Sequence, residues 1–250
     1  MRNAVIENIY TSGTVVGKNG CVHQLHSAID REEGEFLYQT ITNDSTIAKT
    51  LEVGCAFGLS SLYICEAIRG REGAKHIMID PNQNTNYDGV GVKNLQKANV
   101  DYAELIEDAS EFALPGMLQS GQGPYDFIFL DGWHTFDHTL LDAYYATRLL
   151  RVGGILALDD TDWESVGRVV DFLLSYPCYE EIGRVARPRP RGWKGRLAPR
   201  VASLVSRQHW KGLVSRNLYR RIFQERYTRM IALCKRSEDM RSWTWHSDVL

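Results

Sequence analysis

From Lys49 onward, short apolar blocks alternate with stretches in which apolar residues recur every three or four positions. The blocks Lys49–Gly54, Lys75–Asp80, Tyr102–Ile106, Tyr125–Asp131 and Gly154–Asp159 have the length of strands. Most are apolar on both faces, as in Phe127-Ile128-Phe129-Leu130, which is what a parallel sheet covered by helices on each side requires. Between them, Leu59–Arg69, Tyr87–Ala98, Ala109–Gln119 and Phe136–Leu150 carry helical spacing. The last runs into Arg151-Val152-Gly153-Gly154, where glycine can take the left-handed conformation that ends a helix. Upstream, Asp30-Arg31-Glu32-Glu33 fits a capped helix start, whose helix runs through Phe36, Leu37 and Ile41 onto the sheet edge. Downstream, Trp163–Tyr176 predicts another helix, and Tyr179–Val185 and Met230–Lys235 two further strands. The alternation predicts an α/β fold, a doubly wound and mostly parallel seven-stranded sheet in a single domain spanning residues 1–250.

Composition changes this picture at one place. With 250 residues, 44% apolar and 24% charged, the chain can bury a large core, and it lacks the signatures of a fibre, a disordered tail or a disulfide miniprotein. The 29 basic and 31 acidic residues nearly balance, but Arg184 to Arg221 holds twelve basic residues and no acidic one. This stretch falls between the last two predicted strands, so residues 186–225 read as a basic insertion or cap. Three readings stay open for it: a surface cap or dimer arm, a lid steering an anionic acceptor, or a contact with an anionic membrane surface. Nucleic acid is the least favoured partner, because no RNA-binding signature accompanies the charge. The five cysteines are scattered without a CxxC pair, no apolar run reaches the length of about 18 residues that a membrane span needs, and Met1–Gly20 lacks the apolar block of a signal peptide. The expectation is a cytoplasmic protein.

Candidate chemistry sits at the ends of the predicted strands, where ligands bind in sheets of this type. The turn Glu52-Val53-Gly54-Cys55-Ala56-Phe57-Gly58-Leu59-Ser60 joins the first block to its helix. Its glycines let a ligand approach the backbone, and the helix start offers free N–H groups to a carboxylate or phosphate. The spacing departs from the GxGxxG dinucleotide pattern. Asp80 follows the second block, placed for a ribose diol, and Asp108 follows the third, placed near an adenine amino group. Asp131 ends the fourth block and Asp159-Asp160 the fifth, on strands about 4.8 Å apart. Three converging carboxylates repel one another unless a cation compensates them. A hard divalent ion such as Mg²⁺ answers that need; the alternative is that Asp159 or Asp160 caps the next helix and Asp131 orients a loop.

These motifs resemble the class I S-adenosylmethionine (SAM) dependent methyltransferases, whose first motif has the form acid-x-Gly-x-x-x-Gly and whose second-strand acid binds the ribose. The resemblance runs from about His23 to Lys235, the basic insertion excepted. It implies a Rossmann-like methyltransferase fold, with SAM held by Glu52, Gly54, Ala56, Phe57, Gly58, Ser60, Asp80, Asp108 and Ala109. Glu52 and Gly54 would line the methionine and ribose side, Ser60 would bond the amino-acid carboxylate, and Trp133 would wall the adenine or acceptor pocket. Asp131, a basic residue three positions on and a downstream acid pair resemble the metal-dependent O-methyltransferases. The catechol type has lysine at that position, whereas the antibiotic sugar O-methyltransferases carry a histidine, as here with His134. The resemblance thus implies metal ligands Asp131, Asp159 and Asp160, and His134 as general base, since a neutral imidazole can take a proton from a metal-acidified hydroxyl. The alternative for His134 is a partner that orients Asp131. His26, ahead of the Asp30 helix, is a candidate lid residue.

The expected activity is SAM-dependent O-methylation of a small hydroxylated molecule, a natural product, sugar or catechol, anionic or carrier-bound, with divalent-metal assistance and a homo-oligomer as one arrangement. Two rival classes stay open: a metal-independent N- or C-methyltransferase, and a non-catalytic SAM-binding or membrane-associated protein.

Overall fold

A computed structural model describes residues 3–26, 28–188 and 226–247. The chain opens with helix α1 (Ala4–Ser12), the strands β1 (Thr14–Val16) and β2 (Val22–Gln24), and helix α2 (Arg31–Thr42). Then follow β3 (Lys49–Val53), α3 (Leu59–Ile68), β4 (Lys75–Ile79), α4 (Val90–Lys97), β5 (Ala103–Ile106), α5 (Ser110–Gln119), β6 (Tyr125–Leu130), α6 (Phe136–Leu149) and β7 (Leu150–Leu158). Helix α7 (Glu164–Leu173) and strands β8 (Tyr179–Pro188) and β9 (Arg226–Lys235) complete the described elements.

Strands β3 to β9 form a seven-stranded sheet in the order β5-β4-β3-β6-β7-β9-β8, in which only β9 runs antiparallel to its neighbours. The double-sided apolar blocks explain the layering. Phe127, Phe129, Ile155 and Ala157 face a core shared with Leu37 and Ile41 of α2, Leu62 and Ile64 of α3, and Leu95 of α4. Their neighbours Ile128, Leu130, Leu156 and Leu158 point the other way, into a core with Leu114 of α5, Ala146 of α6 and Val169 of α7. Successive strand residues alternate between faces, so a block apolar throughout must be covered twice. The doubly wound sheet expected from the sequence is therefore the one that forms.

The Asp30 start holds as well. Its side chain accepts the N–H groups of Glu32 and Glu33, and the Glu33 carboxylate accepts the Asp30 N–H in return. Arg229 and Arg187 also pair with Asp30. Asp30→Ala is expected to lower the unfolding free energy by about 1–2 kcal/mol, read as an earlier midpoint in urea. The N-terminal helix α1 and the β1–β2 hairpin were not expected. The basic insertion expected at 186–225 lies almost wholly outside the described residues, which end β8 at Pro188 and resume β9 at Arg226. Among the described residues, no helix is long and apolar enough to cross a membrane.

Candidate active site

The ends of β3, β4, β6 and β7 open into one cleft of about 830 Å³. On one side lies the turn after β3. Gly54 has φ +90°, and a Cβ there would stand 2.0 Å from the carbonyl oxygen of Asp131, so the ends of β3 and β6 approach each other only because residue 54 has no side chain. Hydrogen bonds from Gly54 N to the Ile79 carbonyl (2.9 Å) and from Asp131 N to the Val53 carbonyl (2.8 Å) lock the three strand ends together. Gly58, at φ +78°, lets α3 start against α4, since a Cβ would meet Gly91 Cα at 2.8 Å. Helix α3 has no side-chain cap, and Leu59 and Ser60 of its first turn line the cleft. Its free N–H groups therefore fit the carboxylate of an amino-acid ligand.

Asp80 sits at the end of β4, as the sequence places it, and lines the cleft. Its carboxylate accepts the amides of Cys55 (3.1 Å), Ala56 (2.7 Å) and Asn82 (2.8 Å) and the side chain of Gln83 (3.2 Å). In this structure Asp80 organises the turn. Gly54, Ala56, Phe57, Ser60, Ala109 and Trp133 also line the cleft.

Three of the residues expected at the cofactor do not line the cleft. Glu52 is wholly buried and absent from the cleft wall: it belongs to the same strand face as Thr50, turned towards α3, where it accepts the Ser61 hydroxyl and pairs with His76. Gly58 serves the α3–α4 crossing and does not line the cleft. Asp108 is exposed and accepts the Ala109 N–H at the start of α5, leaving Ala109, Ser110 and Glu111 to form that wall.

The acids line the same cleft. The side chains of Asp131, His134 and Asp160 bring one ligand atom each within 4.8 Å of one another. His134 Nε2 lies 3.3 Å from Asp131 Oδ1 and 3.3 Å from Asp160 Oδ2. Of the expected trio, Asp131 and Asp160 converge together with His134, and Asp159 lines the cleft beside them. Asp159 continues the line of β7 and is buried at the cleft floor, with Oδ1 lacking a hydrogen-bond partner. Asp160 has φ +49°, a left-handed turn that swings its carboxylate back towards His134. Burial pushes the Asp131 carboxyl well above the usual range, with Asp160 and Glu52 adding to it, and burial followed by Asp131 does the same to Asp159. Like charges gathered in a desolvated place resist ionisation unless a cation joins them, so this donor set fits a divalent ion.

Trp163, Tyr87 and Arg229 line the cleft without having been singled out by a motif. Trp163, 55% exposed, places its ring 5.2 Å from that of His134, and Trp133, 66% exposed, also lines the cleft. Tyr87 stacks edge-on against Phe57 with centroids 5.1 Å apart, and His26 meets the same ring at 4.9 Å. Arg229 reaches the cleft from β9, paired with Asp30 (2.9 Å) and Glu33 (2.8 Å). Burial raises the Glu33 carboxyl to about 7 against the pull of Arg229.

Behind Gly132, Asp142 of α6 is buried, and burial pushes its carboxyl up to about 6 although the Ser110 hydroxyl and His138 favour its charged form. The folded protein then holds a proton there that the unfolded chain, with a pKa near 3.9, releases. Stability from this group is present below about pH 4 and is lost as the pH rises through about 6. Asp142→Asn is expected to gain melting temperature relative to the parent as the pH is raised from 4 to 7, a difference that thermal scans across pH would measure.

Residues 51–161 match the family model described as a methyltransferase domain. Tricin synthase 2 of Oryza sativa subsp. japonica is 31% identical over 139 residues, which cover 53% of this chain and 44% of that protein. A probable caffeoyl-CoA O-methyltransferase of Arabidopsis thaliana is 32% identical over 123 residues, 46% of this chain and 48% of that protein. The chain thus matches less than half the length of either relative. Among solved structures, an O-methyltransferase from Bacillus cereus bound to SAH is similar at TM-score 0.64 and 14% identity, over 94% of this chain and 92% of that one. The O-methyltransferase TomG of Streptomyces achromogenes, bound to SAM, is similar at TM-score 0.61 and 14% identity, over 94% and 91%. Residues 51–161 thus match a methyltransferase domain, and the chain as a whole has the fold of these methyltransferase structures.

Proposed function

We propose that the protein is a SAM-dependent O-methyltransferase that methylates a hydroxyl of a small molecule with the help of a divalent cation. The observation that carries this reading is that the glycine turn and the Asp131–His134–Asp160 cluster line one cleft, side by side on neighbouring strand ends that meet where the Asp131 carbonyl fills the Cβ position of Gly54. A methyl donor held at the turn and an acceptor hydroxyl held at the cluster would meet in that cleft. The α3 amides and Ser60 receive the amino-acid end of SAM, and Ala109, Ser110 and Glu111 border its nucleoside end. Asp131 and Asp160 hold the cation, with Asp159 below them. A divalent ion at this place lowers the pKa of a hydroxyl bound to it. His134, oriented by Asp131 and Asp160, would act as the base for the released proton and not as a ligand to the cation. Positioning supplies most of the remaining rate.

The acceptor belongs to the hydroxylated small molecules, and the curated relatives favour an aromatic one. One of them is named for a caffeoyl-CoA acceptor, which matches the expectation of a carrier-bound or anionic substrate. Incubating the full chain with methyl-labelled SAM and a panel of catechols, sugars and their carrier-bound forms tests the reading. An O-methyl signal in the product supports it; N- or C-methylation, or cofactor binding without turnover, favours one of the rival classes. His134→Ala is expected to lower kcat by about 10²–10⁴-fold with SAM affinity unchanged and the low-pH limb of the rate profile removed. A profile identical to the parent's would take the base role away from this residue.

A further inference from the structure

Beneath the glycine turn lies a polar chain that this chemistry does not use. Thr50, Glu52, Ser61 and His76 are all 0% exposed. Glu52 Oε2 accepts the Ser61 hydroxyl and lies 3.1 Å from His76 Nε2, while His76 Nδ1 lies 2.8 Å from the Thr50 hydroxyl. The second Glu52 oxygen has no hydrogen-bond partner. Burying a carboxylate in this way is costly unless its partners hold it, and four buried polar side chains in the apolar layer between sheet and helix call for a reason.

The chain links three elements in order. His76 is on β4, Glu52 on β3 two residues before Gly54, and Ser61 in the first turn of α3, next to Ser60 on the cleft wall. Ser61 Oγ also lies 3.5 Å from Cys55 Sγ, within the turn itself. His76 therefore fixes the Glu52 carboxylate from one side, and that carboxylate anchors the first turn of α3 from below. We propose that His76 is a positioning residue for the amino-acid end of the cofactor: through Glu52 and Ser61 it sets the height and direction of the α3 amides that receive the carboxylate. This rests on the SAM reading given above.

Calorimetry with two probes tests it on the full chain. S-adenosylhomocysteine carries the amino-acid tail, and 5′-methylthioadenosine has the same nucleoside and sulfur without it. His76→Leu leaves Glu52 without its imidazole partner and is expected to weaken S-adenosylhomocysteine about tenfold or more, with methylthioadenosine changed by less than about twofold. His76→Gln, whose amide can donate to Glu52, is expected to restore most of the loss. Ser61→Ala cuts the chain at its α3 end without stranding the imidazole, so it gives the same selective loss even if His76→Leu folds poorly. Equal weakening of both probes, or no weakening of either, would overturn the proposal. A parent protein that binds neither probe overturns the cofactor reading as well, which separates the two failures.

Discussion

Asp131→Asn will melt at a higher temperature than the parent in the absence of metal, yet bind no divalent cation and turn over no acceptor. Both halves follow from one fact. Asp131 is held among Asp160, Glu52 and Glu33 in a desolvated place that pushes its carboxyl well above the usual range, so its charged form opposes folding near neutral pH. Removing the charge relieves that repulsion, and about 1 kcal/mol of relief moves the melting temperature of a chain this size by about 2–4 °C. The same substitution takes one of the two carboxylates proposed to hold the cation and loosens the orientation of His134. The expected loss of activity is at least about 10³-fold, with SAM affinity within a few fold. Thermal scans with and without Mg²⁺, followed by cation titration, check both halves. A variant that is destabilised and keeps its metal response would make Asp131 a structural residue.

The second large effect belongs to Gly54→Ala. An added Cβ would stand 2.0 Å from the Asp131 carbonyl oxygen and 2.6 Å from its carbon, at a backbone φ of +90° that side chains rarely tolerate. The obstacle is backbone, which cannot swing away as a side-chain tip does. The strand ends must separate, and this costs about 2–4 kcal/mol. Because the same contact sets the distance between the cofactor turn and the acid cluster, cofactor binding and catalysis fall together. Cysteine is no remedy and serine would fail alike. Expression of a folded Gly54→Ala protein with parental SAM affinity would contradict the place given to this turn.

The fold was legible because the strands are apolar on both faces. Ile128 and Leu130 pack on one side while Phe127 and Phe129 pack on the other, and only a sheet covered twice accommodates them. Positions at strand ends were legible for the same reason, which is why Asp80, Asp131, Asp159 and Asp160 all line one cleft. Side-chain direction was not. Glu52 shares its strand face with Thr50, so alternation alone could have turned it towards α3, but the motif drew attention to its spacing from Gly54. Asp160 turns into the cleft through a left-handed backbone that no pattern of polarity records, whereas Asp159 continues the strand and sinks. The wall near Asp108 is formed by Ala109, Ser110 and Glu111, because the start of α5, two residues later, carries it. Trp163 and Arg229 reach the cleft from elements far apart in sequence, and only the pairing of β9 with β7 brings Arg229 there.

The central claim is that the turn and the acid cluster work as one site on a hydroxyl acceptor. Methyl transfer from labelled SAM to the best acceptor of the panel, measured with Mg²⁺, after chelation by EDTA and after Mg²⁺ is restored, tests it most directly. The account predicts O-methyl product that disappears on chelation and returns with the metal, while SAH binding persists throughout. Transfer that continues undiminished in EDTA would contradict it.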